Sequence, residues 1–262
     1  MDPFVVLITV LVLLALLLGT GVWVGLSLFA VAITSLALFR SMPVDKLLAQ
    51  LTYNTVTTPE MIALPMFILM AEILFHTRLS ASLFRGLSPW TNRLPGKMVH
   101  VNVLGCTLFA AISGSSAATA TTVGRITLSE LFGRGYDKDL VIGSLAGAGT
   151  LGFLIPPSII LIIYGVLSET SILKLFIAGI VPGLILALGF MGYLAIRATL
   201  NPSLIPSEDI NPTWRDRLNG LVDLGPVVFL ILLVLGSMYA AFPSPSEAAA
   251  VGVRGAVVVS AA

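Results

Sequence analysis

Charged side chains are scarce in this sequence. The 14 Lys and Arg and 13 Asp and Glu make up only 10% of 262 residues and leave a net charge of +1. Soluble globular domains carry about 25% charged residues, so a water-solvated exterior is excluded. The missing basic excess excludes nucleic-acid binding. A single cysteine, Cys106, rules out a disulfide scaffold. With only two histidines, His76 and His100, no ligand cluster for zinc or iron can be assembled. A serine-hydrolase reading of Ser115 or Ser116 likewise lacks partners. No alternating ten-residue pattern points to a barrel. Met1-Asp2-Pro3 has no basic n-region, so a cleaved signal peptide is not expected.

What is present is apolar: 57% of the residues are hydrophobic, and the mean hydropathy is +1.03. No charge falls between Asp2 and Arg40, Lys97 and Arg125, Asp139 and Glu169, Lys174 and Arg197, or Asp223 and Glu247. Each gap exceeds the ~18 residues that cross a hydrocarbon core as helix. The reading is therefore an all-α integral membrane protein, with lipid obliging each span to satisfy its own backbone. Helices are predicted at about 3–18, 22–39, 59–76, 176–197 and 220–241, the first two turning at Gly19-Thr20-Gly21. An amphipathic piece is predicted near 44–55. Pro65 is expected to kink 59–76.

Segments 98–131 and 140–168 are different. The first centres on Ser113-Gly114-Ser115-Ser116-Ala117-Ala118-Thr119, where small hydroxylated residues replace leucine and isoleucine. Close helix packing would explain such residues. A hairpin tip explains them better, because a break at Ser113–Ser116 exposes carbonyls at one half-helix end and amides at the other. The second reads Gly147-Ala-Gly149-Thr150-Leu-Gly152-Phe-Leu-Ile-Pro156-Pro157-Ser158. Two prolines remove two amide donors and three glycines precede them, so the helix must unwind near its middle. A Gly/Pro-interrupted apolar segment points to a transporter site at the bilayer midplane. The literal G-x-G-x-x-G at 147–152 is not a dinucleotide loop, because the double proline blocks the helix that would have to follow.

Folding 98–131 back as a hairpin puts the basic loops 78–97 and 133–139 on one side. Arg78, Arg85, Arg93, Lys97, Arg134, Lys138, Arg197, Arg215 and Arg217 then face Arg40, Lys46 and Lys174, nine against three. That bias marks the cytoplasmic face and leaves the N-terminus periplasmic. Glu60, Glu72, Arg125 and Glu247 lie near span ends, where snorkelling or local pairing is expected, Glu72 with His76 or Arg78. Gly143 and Gly147 read as routine small-residue packing.

Together, Ser113–Thr119, Gly149–Ser158 leading to Tyr164-Gly165, and Phe176-Ile-Ala-Gly-Ile-Val-Pro-Gly183 resemble the large membrane subunit of TRAP (tripartite ATP-independent periplasmic) transporters. Pro65–Met70 and Pro245–Gly252 fit the same pattern, so the resemblance runs from residue 1 to about 252. It implies an elevator-type fold: the first inverted repeat plus the start of the second, with a re-entrant hairpin and a broken helix. Scaffold helices and an amphipathic connector would occupy 1–96, and part of the transport domain 97–168. Further helices with a cytoplasmic loop about 198–218 would occupy 169–243, and the start of a second repeat 244–262.

The function implied is sodium-coupled import of an organic anion, such as a C4-dicarboxylate or sialic acid, across the bacterial inner membrane. A small membrane subunit, expected as a separate chain, and a periplasmic substrate-binding protein would assist. The resemblance implies no cofactor beyond sodium as coupling ion and no enzyme activity. Ser113, Ser116, Gly149, Thr150 and Gly152 would hold sodium, largely through backbone carbonyls. Ser115, Ser116, Ala117, Thr119, Pro156 and Pro157 would line the substrate site. The sequence departs from the family in length, and the tail Val253–Ala262 is not expected to continue the pattern. A C-terminal truncation is therefore expected, and the chain alone is not expected to transport. A proton-coupled carrier or a non-transporting remnant is the alternative. The first fits poorly, because neither 98–124 nor 140–168 contains an acidic residue.

Overall fold

Apolar helices connected by tight polar breaks form the whole of the described chain. The computed structural model describes residues 3–39, 43–77, 79–206, 212–239 and 244–261, and no strand occurs among them. Residues up to Thr57 form one unit and residues from Thr58 a second.

The first unit holds α1 (Pro3–Gly19), α2 (Val24–Phe39) and α3 (Val44–Val56). A short turn with Gly21 at φ 79° reverses the chain between α1 and α2, as Gly19-Thr20-Gly21 predicted. No side chain of α1 is buried, and α2 buries only Ser27 and Val31. Such surfaces suit lipid or protein, not water.

The second unit begins with a 3₁₀ turn, Pro59–Ile62, that leads into α4 (Ala63–Phe75). Pro65 was expected to kink a helix over 59–76. Instead the helix starts two residues before it, so Pro65 occupies the first turn, where an amide has no intrahelical acceptor to lose. The basic loop predicted at 78–97 is also corrected, because α5 (Leu79–Thr91) occupies most of it. Leu83, Phe84 and Leu87 bury one stripe of α5, while Arg85 stays exposed and approaches Asp223 at 3.8 Å.

The hairpin arms α6 (His100–Ser113) and α7 (Ser116–Gly133) follow. Next come α8 (Lys138–Gly149), α9 (Ile159–Leu167) and α10 (Ile172–Leu200). The last two helices are α11 (Trp214–Tyr239) and α12 (Pro245–Ala261). Among the described residues, α10 (29 residues) and α11 (26 residues) are long and apolar enough to cross a membrane by themselves. At 1.5 Å per residue they run about 43 and 39 Å. Arg215 and Arg217 lie on the first turn of α11 and not in a loop.

The core centres on α6. Val101, Val103, Cys106, Phe109 and Ala110 are all buried, on every side of the helix. A helix buried all round needs partners on every face, and α4, α5, α7, α8, α10 and α11 all pack on it. Phe75 of α4 stacks on Phe109 with ring centroids 5.3 Å apart. Glu247, expected to snorkel or pair locally, closes a capping box at the start of α12. Its carboxylate accepts from the Ser244 amide at 2.8 Å, and the Ser244 hydroxyl accepts from the Glu247 amide at 3.4 Å. Glu72 and His76 approach at 3.7 Å on the exposed side of α4; Arg78, the other partner considered, lies outside the described residues. Arg125 and Arg254 are exposed.

Candidate functional site

The hairpin tip is built by one glycine and two serines. α6 ends at Ser113, and Gly114 turns into the left-handed region at φ 60°, donating its amide to Ala110 O at 2.9 Å. This is the usual glycine stop for a helix. Ser115 is extended and caps α7, its hydroxyl accepting from the Ala118 amide at 3.4 Å. Across the break the buried Ser113 and Thr119 hydroxyls bond each other at 2.8 Å, tying the two arms. The arms are antiparallel along their length. A Cβ on Gly105 would touch Val123 at 3.5 Å, and at the open end the Met98 amide donates to the Tyr136 hydroxyl at 3.1 Å. The hairpin reading of 98–131 therefore holds in geometry, and Lys97, Arg134 and Lys138 lie at one end of it.

The second segment unwinds as its prolines require. α8 starts at an Asp137 cap, whose carboxylate accepts from the Leu140 amide at 2.9 Å, and stops at Gly149. A 3₁₀ turn, Thr150–Phe153, follows. The chain then runs through Pro156-Pro157, joined by a cis peptide bond, before α9 begins at Ile159. Ser158 is buried and donates its hydroxyl to Phe153 O at 3.0 Å, bracing the two sides of the break.

The tip sits directly on this break. The Ile159 amide donates to Gly114 O at 3.1 Å. A Cβ on Gly114 would lie 2.6 Å from Pro157 O, and one on Gly152 would lie 2.7 Å from the Ser116 nitrogen. Backbone therefore meets backbone where any side chain would part them. The helix ends are also paired by sign. The carbonyl end of α6 faces the amide end of α9, and the 3₁₀ turn closing α8 meets the amide end of α7, so opposite partial charges adjoin in both cases.

Of the residues singled out in the sequence, the junction brings together Ser113, Ser115, Ser116, Gly149, Gly152 and Pro157. Gly149 packs so close to Ala120 that a Cβ would lie 2.8 Å from the alanine Cβ. Pro156 and Pro157 are buried. Thr150 is exposed and turns its hydroxyl back to Gly147 O at 2.7 Å. Thr119 spends its hydroxyl on Ser113, and Ala117 is exposed. Ser116 differs from its neighbours: it is half-buried, and no described residue hydrogen-bonds its hydroxyl. Four participants carried no functional assignment in the sequence reading: Gly114, Ser158, Gly179 and Gly183. The last two let α10 press on the break, a Cβ on Gly179 falling 2.5 Å from Leu154 O. Their four-residue spacing is the signal that could have found them.

Chemically the junction offers oxygen and amide dipoles without formal charge. The last carbonyls of α6 lie past its hydrogen-bond ladder, and Ser116 at the start of α7 keeps a free hydroxyl. A hard monovalent cation fits such a donor set, whereas the first amides of α7 suit a carboxylate. No group of three His, Cys, Asp or Glu converges among the described residues.

An all-helical chain with a hairpin tip pressed against a proline-broken helix defines a membrane protein of the discontinuous-helix class, the architecture in which secondary carriers bind solutes. More particularly, the chain belongs to a known family. Residues 11–262 match the model described as "Tripartite ATP-independent periplasmic transporter, DctM component". The matched range includes Val253–Ala262, which had been expected to depart from the family pattern; those residues lie in the continuous helix α12 up to Ala261.

Among curated relatives, the chain is similar to the C4-dicarboxylate TRAP transporter large permease protein DctM of Vibrio cholerae. The two are 32% identical over 191 residues, covering 73% of this chain and 42% of the relative. It is 34% identical over 225 residues to the ectoine/5-hydroxyectoine large permease protein UehC of Ruegeria pomeroyi, covering 86% of this chain and 52% of that one. The sialic acid permease protein SiaT of Haemophilus influenzae is 29% identical over 239 residues, 91% of this chain and 38% of that one. The chain thus spans about half the length of the curated relatives it matches.

Proposed function

We propose that the chain forms the substrate-holding part of a sodium-coupled carrier that imports an organic anion across the bacterial inner membrane. The observation that carries this reading is the junction of the hairpin tip with the broken helix, uncharged and lined by helix-end dipoles, with the Ser116 hydroxyl free at the start of α7. Ser113, Ser116 and carbonyls of Gly149, Thr150 and Gly152 hold sodium on one side of the tip. The first amides of α7 take the carboxylate, with Ser115, Ala117, Thr119, Pro156 and Pro157 around it. The anion is a C4-dicarboxylate, sialic acid or a similar carboxylate, in keeping with two of the relatives. It is delivered by a periplasmic binding protein to an assembly that includes a small membrane subunit. The basic end of the hairpin, with Lys97, Arg134, Lys138 and Arg197, faces the cytoplasm, and the N-terminus faces the periplasm.

Hairpin and broken helix are interlocked by the Ile159–Gly114 bond and by the Gly152 contact, so they move as one body. That rigidity suits an elevator-type motion, in which the site crosses the bilayer intact. Proton coupling is disfavoured because neither 98–124, which holds the tip, nor 140–168, which holds the break, contains an acidic residue.

The test is thermal unfolding of the purified chain in sodium chloride against potassium chloride at equal ionic strength. Sodium should raise the midpoint, and Ser116→Ala should diminish the rise. Equal midpoints in both salts would refute the ion site. For the anion, uptake of labelled succinate or sialic acid is measured with the small subunit and binding protein co-expressed. Uptake indifferent to sodium would refute the coupling.

A further inference from the structure

Away from the hairpin tip, α8 and α10 enclose a cavity of about 420 Å³. This lies within the usual range for small-molecule sites, ~300–1,000 Å³. Its walls are apolar: Gly143 and Gly147 leave α8 bare, and the Phe190 ring of α10 covers it, 3.2 Å from where a Gly147 Cβ would be. Away from the mouth one polar group lines it, Ser144, whose hydroxyl accepts from the Asn102 side-chain amide at 2.8 Å; Asn102 itself is wholly buried.

The mouth is not apolar. Asp139 at the start of α8 and Arg197 in the last turn of α10 both line it, with Tyr193 one turn inside. The two helix ends share a level, because the Asp137 amide donates to Leu204 O at 3.1 Å just beyond them. No ion pair joins Asp139 to Arg197, and neither has another partner among the described residues. An unpaired acid and base therefore flank one entrance to an apolar groove. From Asp139 to Gly147 the groove descends eight residues, about 12 Å of helix.

These features select an occupant. An aqueous anion would satisfy Arg197 but leave the apolar walls uncovered and Asp139 repelled. A singly anionic lipid would cover the walls and satisfy Arg197, yet leave Asp139 without a cation. A zwitterionic lipid with a hydrogen-bonding ammonium satisfies all three, since guanidinium pairs bidentately with phosphate and carboxylate with ammonium. Tyr193 sits where aromatic rings favour the headgroup level. We propose that the α8–α10 groove binds one phosphatidylethanolamine. Arg197 holds its phosphate, Asp139 its ammonium, and Gly143, Gly147 and Phe190 receive an acyl chain. This site is separate from the tip and does not depend on the transport reading.

The experiment is lipid retention by the full chain. The protein is reconstituted in bilayers of equal phosphatidylethanolamine, phosphatidylcholine and phosphatidylglycerol, extracted, and weighed by native mass spectrometry. One phosphatidylethanolamine per chain is expected, enriched about tenfold over either competitor, the worth of one charge-assisted hydrogen bond. Asp139→Asn should erase the preference over phosphatidylglycerol, Arg197→Gln should weaken retention of every phospholipid, and Gly147→Leu should empty the groove. Equal enrichment of the three lipids in the unmodified chain would overturn the proposal without recourse to any variant. So would the absence of retained lipid, which would mean that polypeptide covers the groove, or retention unchanged in folded Arg197→Gln.

Discussion

Alanine at Gly152 tests the junction most directly. The added Cβ would lie 2.7 Å from the Ser116 nitrogen, 2.8 Å from the Ser115 carbonyl carbon and 2.9 Å from the Ser116 Cα. All three atoms are backbone, so no side chain can rotate aside. Ordinary contact begins at 3.4 Å, so the tip must retreat by 3.4 − 2.7 = 0.7 Å. Overpacking of this kind costs about 1–3 kcal/mol. Gly189→Ala is the matched control: it lies inside α10 with nothing within 4 Å of its Cβ, so only helix propensity acts. That term stabilises by about 1 kcal/mol. For a chain of this size each kcal/mol moves the unfolding midpoint by about 2–4 °C. Circular dichroism at 222 nm in detergent should therefore put Gly152→Ala about 2–12 °C below the unmodified protein. Gly189→Ala should lie about 2–4 °C above it. The sodium-dependent rise should shrink in the first variant and persist in the second. A Gly152→Ala protein as stable as its parent would mean that tip and break are not in contact, and the site would have to be sought elsewhere.

Three other outcomes follow from the same geometry. Ser113→Ala strands the buried Thr119 hydroxyl and should cost about 1–3 kcal/mol, whereas Thr119→Ala leaves the Ser113 hydroxyl its 3.4 Å bond to Ser115 O and should cost less. The double variant should cost less than the sum, and additive losses in a double-mutant cycle would show that the bond does not form. Cys106 is fully buried in α6 and should resist maleimide in the folded protein, whereas Ser116→Cys should label at the tip. Labelling of the unmodified chain would contradict the packing of α6. Ser244→Ala removes the cap of α12 and should lower stability by about 0.5–2 kcal/mol, with an unchanged midpoint arguing against the capping box.

Much of this architecture was legible because membrane helices betray themselves by what they omit. Uncharged runs located α1, α2, α10 and α11, and Ser113–Ser116 and Pro156-Pro157 marked the two breaks within 98–131 and 140–168. α5 escaped notice because Arg85, Ser82, Ser88 and Pro89 make its window look like a loop. Its stripe of Leu83, Phe84 and Leu87 becomes meaningful only when α11 packs against it. Pro65 was misjudged because a proline looks alike in sequence whether it sits inside a helix or in its first turn. At the site, Ser116 could be nominated from composition, but its distinction from Thr119 could not. Which hydroxyl is spent and which is free depends on a partner six residues away across a turn. The contact of Gly179 with Leu154 joins residues 25 positions apart, and no local pattern carries that information.

If the proposed site is right, the pairing of α6 with α9 and of α7 with the end of α8 makes its recognition surface largely out of peptide groups, which every amino acid carries. A point mutation cannot delete such a ligand; it can only displace it. An exhaustive substitution map of residues 110–160 should therefore look inverted relative to that of an enzyme. Tolerance should fall at Gly114, Gly149 and Gly152, which bear no chemistry, and rise at many of the hydroxylated positions beside them. Sequences diverging under that constraint can exchange nearly every polar side chain around the cage while its shape stays fixed, so polarity would be a poor guide to kinship here and glycine spacing a good one.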